Sequence, residues 1–205
     1  QSPPTGGFAL SYPSPPRAVA PRLVMRVFFA LDISPPLQDA IARWRARAVA
    51  AAGRAVRPGN FHITLHFLGD IAPRQLDLLC AEAERIRADA FDLRLDQCGW
   101  FPRPGIFHLC PGDIPVPLAE LAAATRKAAR NAERQSARQA GGAAPKSRKP
   151  YAPHLTLFRH CRVRPPLPTA RPDFTVACDG FTLFESVAVA DGVRYQPLQH
   201  WRAQA

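Results

Sequence analysis

His62-Ile-Thr-Leu-His-Phe-Leu68 and His154-Leu-Thr-Leu-Phe-Arg-His160 are the two stretches on which the fold of this 205-residue chain turns. In each, apolar residues (Ile63, Leu65, Phe67; Leu155, Leu157) alternate with polar ones, the period-two pattern of a half-buried β-strand. Side chains two apart on a strand share a face. His62 and Thr64 therefore point the same way, as do His154 and Thr156, while the aliphatic residues between them enter a core. Six histidines and seven threonines would give about 0.2 His-x-Thr triplets by chance, yet two are present, each with an aliphatic centre and a following Leu.

Working outward, residues 26–32 carry the nearly continuous apolar run Val27 to Leu31, a buried strand. Ser34 with Pro35 and Pro36 opens a helix that runs through Leu37, Ile41, Trp44 and Val49 and stops at Gly53, with Arg43, Arg45 and Arg47 on a solvated face. A short strand at 55–57 and the turn Pro58-Gly59-Asn60 deliver the first motif. A second helix opens at Pro73. Residues 91–98 and 106–110 read as strands, and a third helix spans 118–139. Beyond the second motif come strands at 174–178 and 181–190, then an Asp191-Gly192 hairpin into a strand at 193–198. His200 and Trp201 carry no signal. One motif falls in each half, so the expected fold is α+β: two pseudo-symmetric lobes, antiparallel sheets lining a central cleft, helices outside, and the motif strands facing each other across the cleft.

Residues 1–24 are rich in Pro, Ser, Gly and Ala and read as a disordered tail or a non-native extension. Met25, the one methionine, stands directly before the first strand and is the expected natural start, leaving residues 25–205 as the folded domain. No apolar run approaches the length of a membrane span, and the expectation is a cytoplasmic monomer without membrane attachment. Five scattered cysteines without a Cys-x-x-Cys spacing argue against a disulfide framework or a zinc ribbon. The formal charge is +11, with eight basic residues against one acid in the segment 126–149, which suits a polyanionic partner. Its second part, 139–149, reads as a basic loop.

Two facing imidazoles suit acid–base catalysis at a phosphorus centre. With an ordinary pKa near 6.5, one ring can accept a proton while the other donates one. The neighbouring Thr hydroxyls can hydrogen-bond the non-bridging oxygens. Metal chelation fits less well: His62 and His66 would share a face but stand about 13 Å apart along a strand.

The chain resembles the bacterial RNA 2',3'-cyclic phosphodiesterases, the LigT-like or 2'-5' RNA ligase family of the two-histidine phosphoesterases. The resemblance rests on Arg26-Val-Phe-Phe-Ala-Leu-Asp32, Asn60-Phe-His-Ile-Thr-Leu-His-Phe-Leu-Gly-Asp70, Pro153-His-Leu-Thr-Leu-Phe-Arg159 and Gly192-Val-Arg-Tyr-Gln-Pro-Leu198, all in family order. It implies cofactor-free hydrolysis of RNA ends bearing 2',3'-cyclic phosphates, tRNA fragments among them, to 2'-phosphates. It also implies His62 as the acid on the leaving 3'-oxygen, His154 as the base that activates water, and Thr64, Thr156 and Arg159 as phosphate ligands. A 2'-5' ligase or 2'-5' phosphodiesterase activity, and a non-catalytic RNA-binding module, are the alternatives. Residues 146–149, the helix before them, Phe28 and Tyr151 are the expected RNA-contacting surface.

Overall fold

The first motif folds as strand β3 (His62–Ile71) and the second as the short strand β7 (Leu155–Arg159), in a computed structural model that describes residues 24–140 and 150–204. The expectations for residues 1–23 and for the basic segment 141–149 lie outside the described residues. The two strands are antiparallel neighbours that meet at one pair, Ile63 opposite Leu155. They do not stand on opposing walls of a cleft; they share one sheet, because the aliphatic residue at the centre of each motif packs into the same core.

Around them runs an antiparallel sheet in the order β10 (Gly192–Arg202), β9 (Gly180–Val189), β1 (Met25–Asp32), β3, β7, β6 (Ile106–Cys110) and β5 (Gln97–Phe101), with β2 (Arg54–Ala55) added beside β7. A half-turn about the Ile63–Leu155 contact exchanges β3 with β7, β1 with β6 and β9 with β5. The registers obey it: Ala30 opposite Thr64 corresponds to His108 opposite Thr156, and Leu31 opposite Ile63 to Leu109 opposite Leu155. Strands β4 (Phe91–Leu95) and β8 (Phe174–Cys178) form a separate pair. The run 91–98 is therefore two strands, and the chain changes sheets at Asp96, whose carboxylate accepts the Gly112 N–H at 2.7 Å.

Three helices complete the α+β fold: α1 (Pro35–Ala48), α2 (Pro73–Ala83) and α3 (Val116–Ala140). Helix α1 stops five residues before Gly53, because Val49 turns extended and the Ala48 carbonyl accepts the Thr169 N–H at 2.9 Å. Arg45 is not part of a solvated face. Its guanidinium donates to the carbonyls of Val56 and Leu157 at 2.6 and 3.1 Å and lies over Phe61 and Phe158, stapling α1 to β7. At the far edge β10 runs on to Arg202, and Trp201 is a core residue stacked 5.1 Å from Phe181.

Candidate active site

Strand β3 would present His62, Thr64 and His66 on one face if its alternation were unbroken. It is broken twice: the pairing with β1 shifts between Phe29 and Ala30 and again between Val27 and Phe28, so β3 carries an extra residue at Leu65 and at Leu68. The first bulge turns His66 to the face of buried Phe29, beneath Arg126 and Arg130 of α3, where burial and those two cations push its pKa down to about 4. The same bulge returns Phe67 to the face of Phe28 and Thr64. His66 therefore shares no face with His62, and a strand-spacing estimate between them does not apply.

His62 and His154 are held by the same device. The Nδ1 of His62 lies 2.7 Å from the carbonyl oxygen of Asn60, and that of His154 lies 2.8 Å from the carbonyl oxygen of Ala152, in both cases two residues upstream. A carbonyl only accepts, so each Nδ1 carries the hydrogen and each Nε2 is left for chemistry. His62 is packed between Phe28 and Tyr195, with ring centroids 5.0 and 4.8 Å away. His154 is packed against Phe101 and a third imidazole, His108, both at 5.1 Å. Burial drives the pKa of His62 down to about 4, and the charges of Arg159 and His154 press in the same direction. Burial also lowers His154, again with Arg159 adding to it. Arg159 thus acts on both rings, and its Nη2 reaches the Tyr195 hydroxyl at 3.4 Å.

A cleft of about 680 Å³ opens beside His62, with Thr64, Phe28, Phe67, Tyr195 and Arg159 on its walls. His154 and the buried Thr156 are not among its lining residues; they stand on the β6 side of the Ile63–Leu155 contact. Cations on the cleft wall come from β1, the segment around β2, and β7: Arg26, Arg54, Arg57 and Arg159. Among the described residues, none of α3 lines it. Phe28 lies on the wall as expected, but Tyr151 does not; its hydroxyl donates to the Thr64 carbonyl at 3.3 Å from a half-buried ring. Among the described residues no group of three or more His, Cys, Asp and Glu side chains could hold a metal ion.

Sequence reasoning missed Asn60 and His108. The Asn60 side chain behaves as a fragment of strand: Nδ2 donates to the Val193 carbonyl at 2.7 Å, and Oδ1 accepts the Tyr195 N–H at 3.3 Å. One residue therefore orients His62 through its main chain and fastens the wall strand β10 through its amide. His108 follows from register alone, since it pairs with Thr156 and so shares the face of the second motif.

Comparison with known proteins agrees with this architecture. The sequence model of the LigT-like phosphoesterase family matches residues 31–108. The RNA 2',3'-cyclic phosphodiesterase of Escherichia coli is 33% identical over 86% of this chain and 95% of its own length. The enzyme of that name from Aquifex aeolicus is 26% identical over 69% and 72%. The crystal structure of Escherichia coli LigT complexed with 3'-AMP superposes with a TM-score of 0.77 at 31% identity, covering 89% of this chain and 99% of LigT. A crystal structure described as a phosphoesterase gives 0.77 at 32% identity, covering 88% and 99%.

Proposed function

The chain belongs to the LigT-like phosphoesterase family, and from that premise we propose that it hydrolyses RNA 2',3'-cyclic phosphate ends to 2'-phosphates, with His62 and His154 as the acid–base pair. The observation that carries this is the duplicated histidine: two imidazoles on adjoining antiparallel strands, each with Nδ1 tied to a main-chain carbonyl and Nε2 left for chemistry.

In this reading the Nε2 of His154 takes a proton from water as its oxygen bonds to phosphorus. The bond from phosphorus to the 3'-oxygen breaks, and the protonated Nε2 of His62 gives its proton to that oxygen, so the 2'-ester survives. Thr64 and Thr156 donate to the non-bridging oxygens and Arg159 supplies compensating charge. Burial keeps both rings neutral in the free protein; the arriving phosphate anion favours the cationic form and lets one of them take up the proton it later donates.

Family membership supports an RNA substrate, and the basic cleft beside His62 suits a polyanion. The Escherichia coli relative forms a complex with 3'-AMP, which supports a nucleotide ligand for this chain. No step calls on a metal, so turnover should survive EDTA. The deciding experiment is incubation with a short RNA ending in a 2',3'-cyclic phosphate, with identification of the hydroxyl that keeps the phosphate. A 2'-phosphate product is expected, with His62→Ala and His154→Ala each about 10²–10⁴-fold slower. A 3'-phosphate product, or RNA binding without turnover, overturns the proposal.

A further inference from the structure

Where β2 meets β7, Arg54 lies directly opposite Arg159. Like charges in a cross-strand pair repel, and a sheet gains nothing by holding them there unless something negative comes between or above them. The other two cations of the cleft are already answered: Arg26 by Asp70 at 3.0 Å, and Arg57 by the carboxylate of Asp191. Among the described residues neither Arg54 nor Arg159 has a carboxylate within ion-pair reach. Arg54 donates to the main-chain carbonyl of Asp191, which fixes its position at the tip of the β9–β10 hairpin but leaves its charge uncompensated.

That guanidinium lies against the hairpin at Asp191 and Gly192. Gly192 has φ of 138°, and a Cβ there would run into the Nη2 of Arg54. The positive φ favours glycine at this position, and the absence of a Cβ leaves the guanidinium of Arg54 room to lie against the hairpin. Next to Arg159, His160 is the one described non-glycine residue with positive φ (60°), a conformation that holds it at the same cleft wall as Arg54. The wall therefore reads in order from His62 to Tyr195, to Arg159, to Arg54 at the hairpin tip.

The two arginines differ in reach. Arg159 reaches Tyr195, whose ring backs His62, and its charge lowers both His62 and His154, whereas Arg54 reaches out to the main chain of Asp191 at the hairpin. Arg159 is placed for the reacting phosphate, and Arg54 lies beyond it.

Resting on the cyclic phosphodiesterase reading, we propose that Arg54 binds the internucleotide phosphate preceding the cyclic one, so that the substrate is an oligonucleotide end and not a free cyclic mononucleotide. The test compares kcat/KM for a nucleoside 2',3'-cyclic monophosphate with that for a dinucleotide ending in the same cyclic phosphate. The dinucleotide is expected to be favoured by about tenfold or more, mostly through KM, and added salt should erode the advantage. Arg54→Ala should bring the ratio close to one and Arg54→Lys should restore part of it; Arg74→Ala, a charge removed from α2 outside the cleft, should leave the ratio alone. Equal kcat/KM for the two substrates in the wild-type protein, or an Arg54→Ala ratio as large as wild type, overturns the proposal. If neither substrate turns over, the parent reading fails, and the subsite is then judged by calorimetric binding of a 2'-phosphorylated dinucleotide against a 2'-mononucleotide. Equal affinity there overturns the subsite as well.

Discussion

Ile63 lies directly opposite Leu155, both with no exposed surface, and that one cross-strand pair sets the two catalytic candidates on a common face. Truncating either residue should cost about 2–5 kcal/mol, as for other fully buried aliphatics. Leu93, equally buried in the separate β4–β8 pair, is the matched control. At a temperature where Ile63→Ala and Leu93→Ala are both folded by circular dichroism, Ile63→Ala is expected to lose at least tenfold more kcat. Equal kcat values would mean that the pair stabilises the core without aligning the histidines.

The pH dependence follows from burial. In the free protein His62 titrates near 4 and His154 below its ordinary 6.5. Both limbs of the kcat/KM profile, which reports the free enzyme, should therefore lie below pH 6.5, so that kcat/KM rises as pH drops from 8 towards 6. The two limbs belong to the pair and hold whichever ring is the acid. Bound phosphate raises both imidazoles, so the kcat profile should be displaced to higher pH. Steady-state rates from pH 4 to 9 check this; a kcat/KM maximum above pH 7.5 would contradict it.

Asn60 joins two tasks that seldom fall to one residue. Asn60→Ala keeps the carbonyl that receives the His62 Nδ1–H but removes both amide bonds to β10, at Val193 and Tyr195. Two hydrogen bonds of this kind are worth about 1 kcal/mol each. Released from β10, the turn at Pro58–Asn60 no longer fixes the carbonyl, and Tyr195 no longer backs the ring. The expected result is a folded protein with kcat about tenfold lower, and Asn60→Asp should rescue little because a carboxylate cannot donate to the Val193 carbonyl. Thermal melts alongside initial rates separate the two effects.

Much of this was legible in the sequence because the signals were local. Period-two alternation locates β3 and β7, a continuous apolar run locates β1, and the Pro-opened helices fall where expected. The hairpin turn lies one residue earlier than Asp191-Gly192, because Gly192 already pairs with Val189 as the first residue of β10. The failures were of register. Nothing in His62-Ile-Thr-Leu-His says that Leu65 bulges, so plain alternation puts His66 on the wrong face. Arg45 read as solvated because its partners, the carbonyls of Val56 and Leu157, belong to segments that arrive only on folding. The alternation is legible only as far as Leu198, which leaves Trp201 without a signal; a bulge between Pro197 and Gln199 shifts the register and β10 continues to Arg202. The face-to-face arrangement of the motifs failed for a related reason: alternation shows which residues are buried, not which strand lies alongside.

Gly99 and His108 offer the sharpest test of how the second motif is supported. They are paired across β5 and β6, and a methyl on Gly99 would collide with Nε2 of His108 and stand 2.8 Å from its Cε1. The ring has little room to retreat, being buried and stacked 4.2 Å from Phe101, so it would be driven towards His154. Tilting the His154 ring off its resting rotamer costs about 0.5–1.5 kcal/mol, which corresponds to a loss in kcat of about two- to twelvefold. Gly99 touches neither the cleft nor His154, so KM should change little. His108→Ala in the Gly99→Ala background removes the ring that transmits the push, and part of the lost kcat should return. Kinetics on the two variants, each shown to be folded, decide the matter: a Gly99→Ala enzyme with wild-type kcat, or a double variant slower than the single, would mean that His108 fills space without steering the catalytic ring.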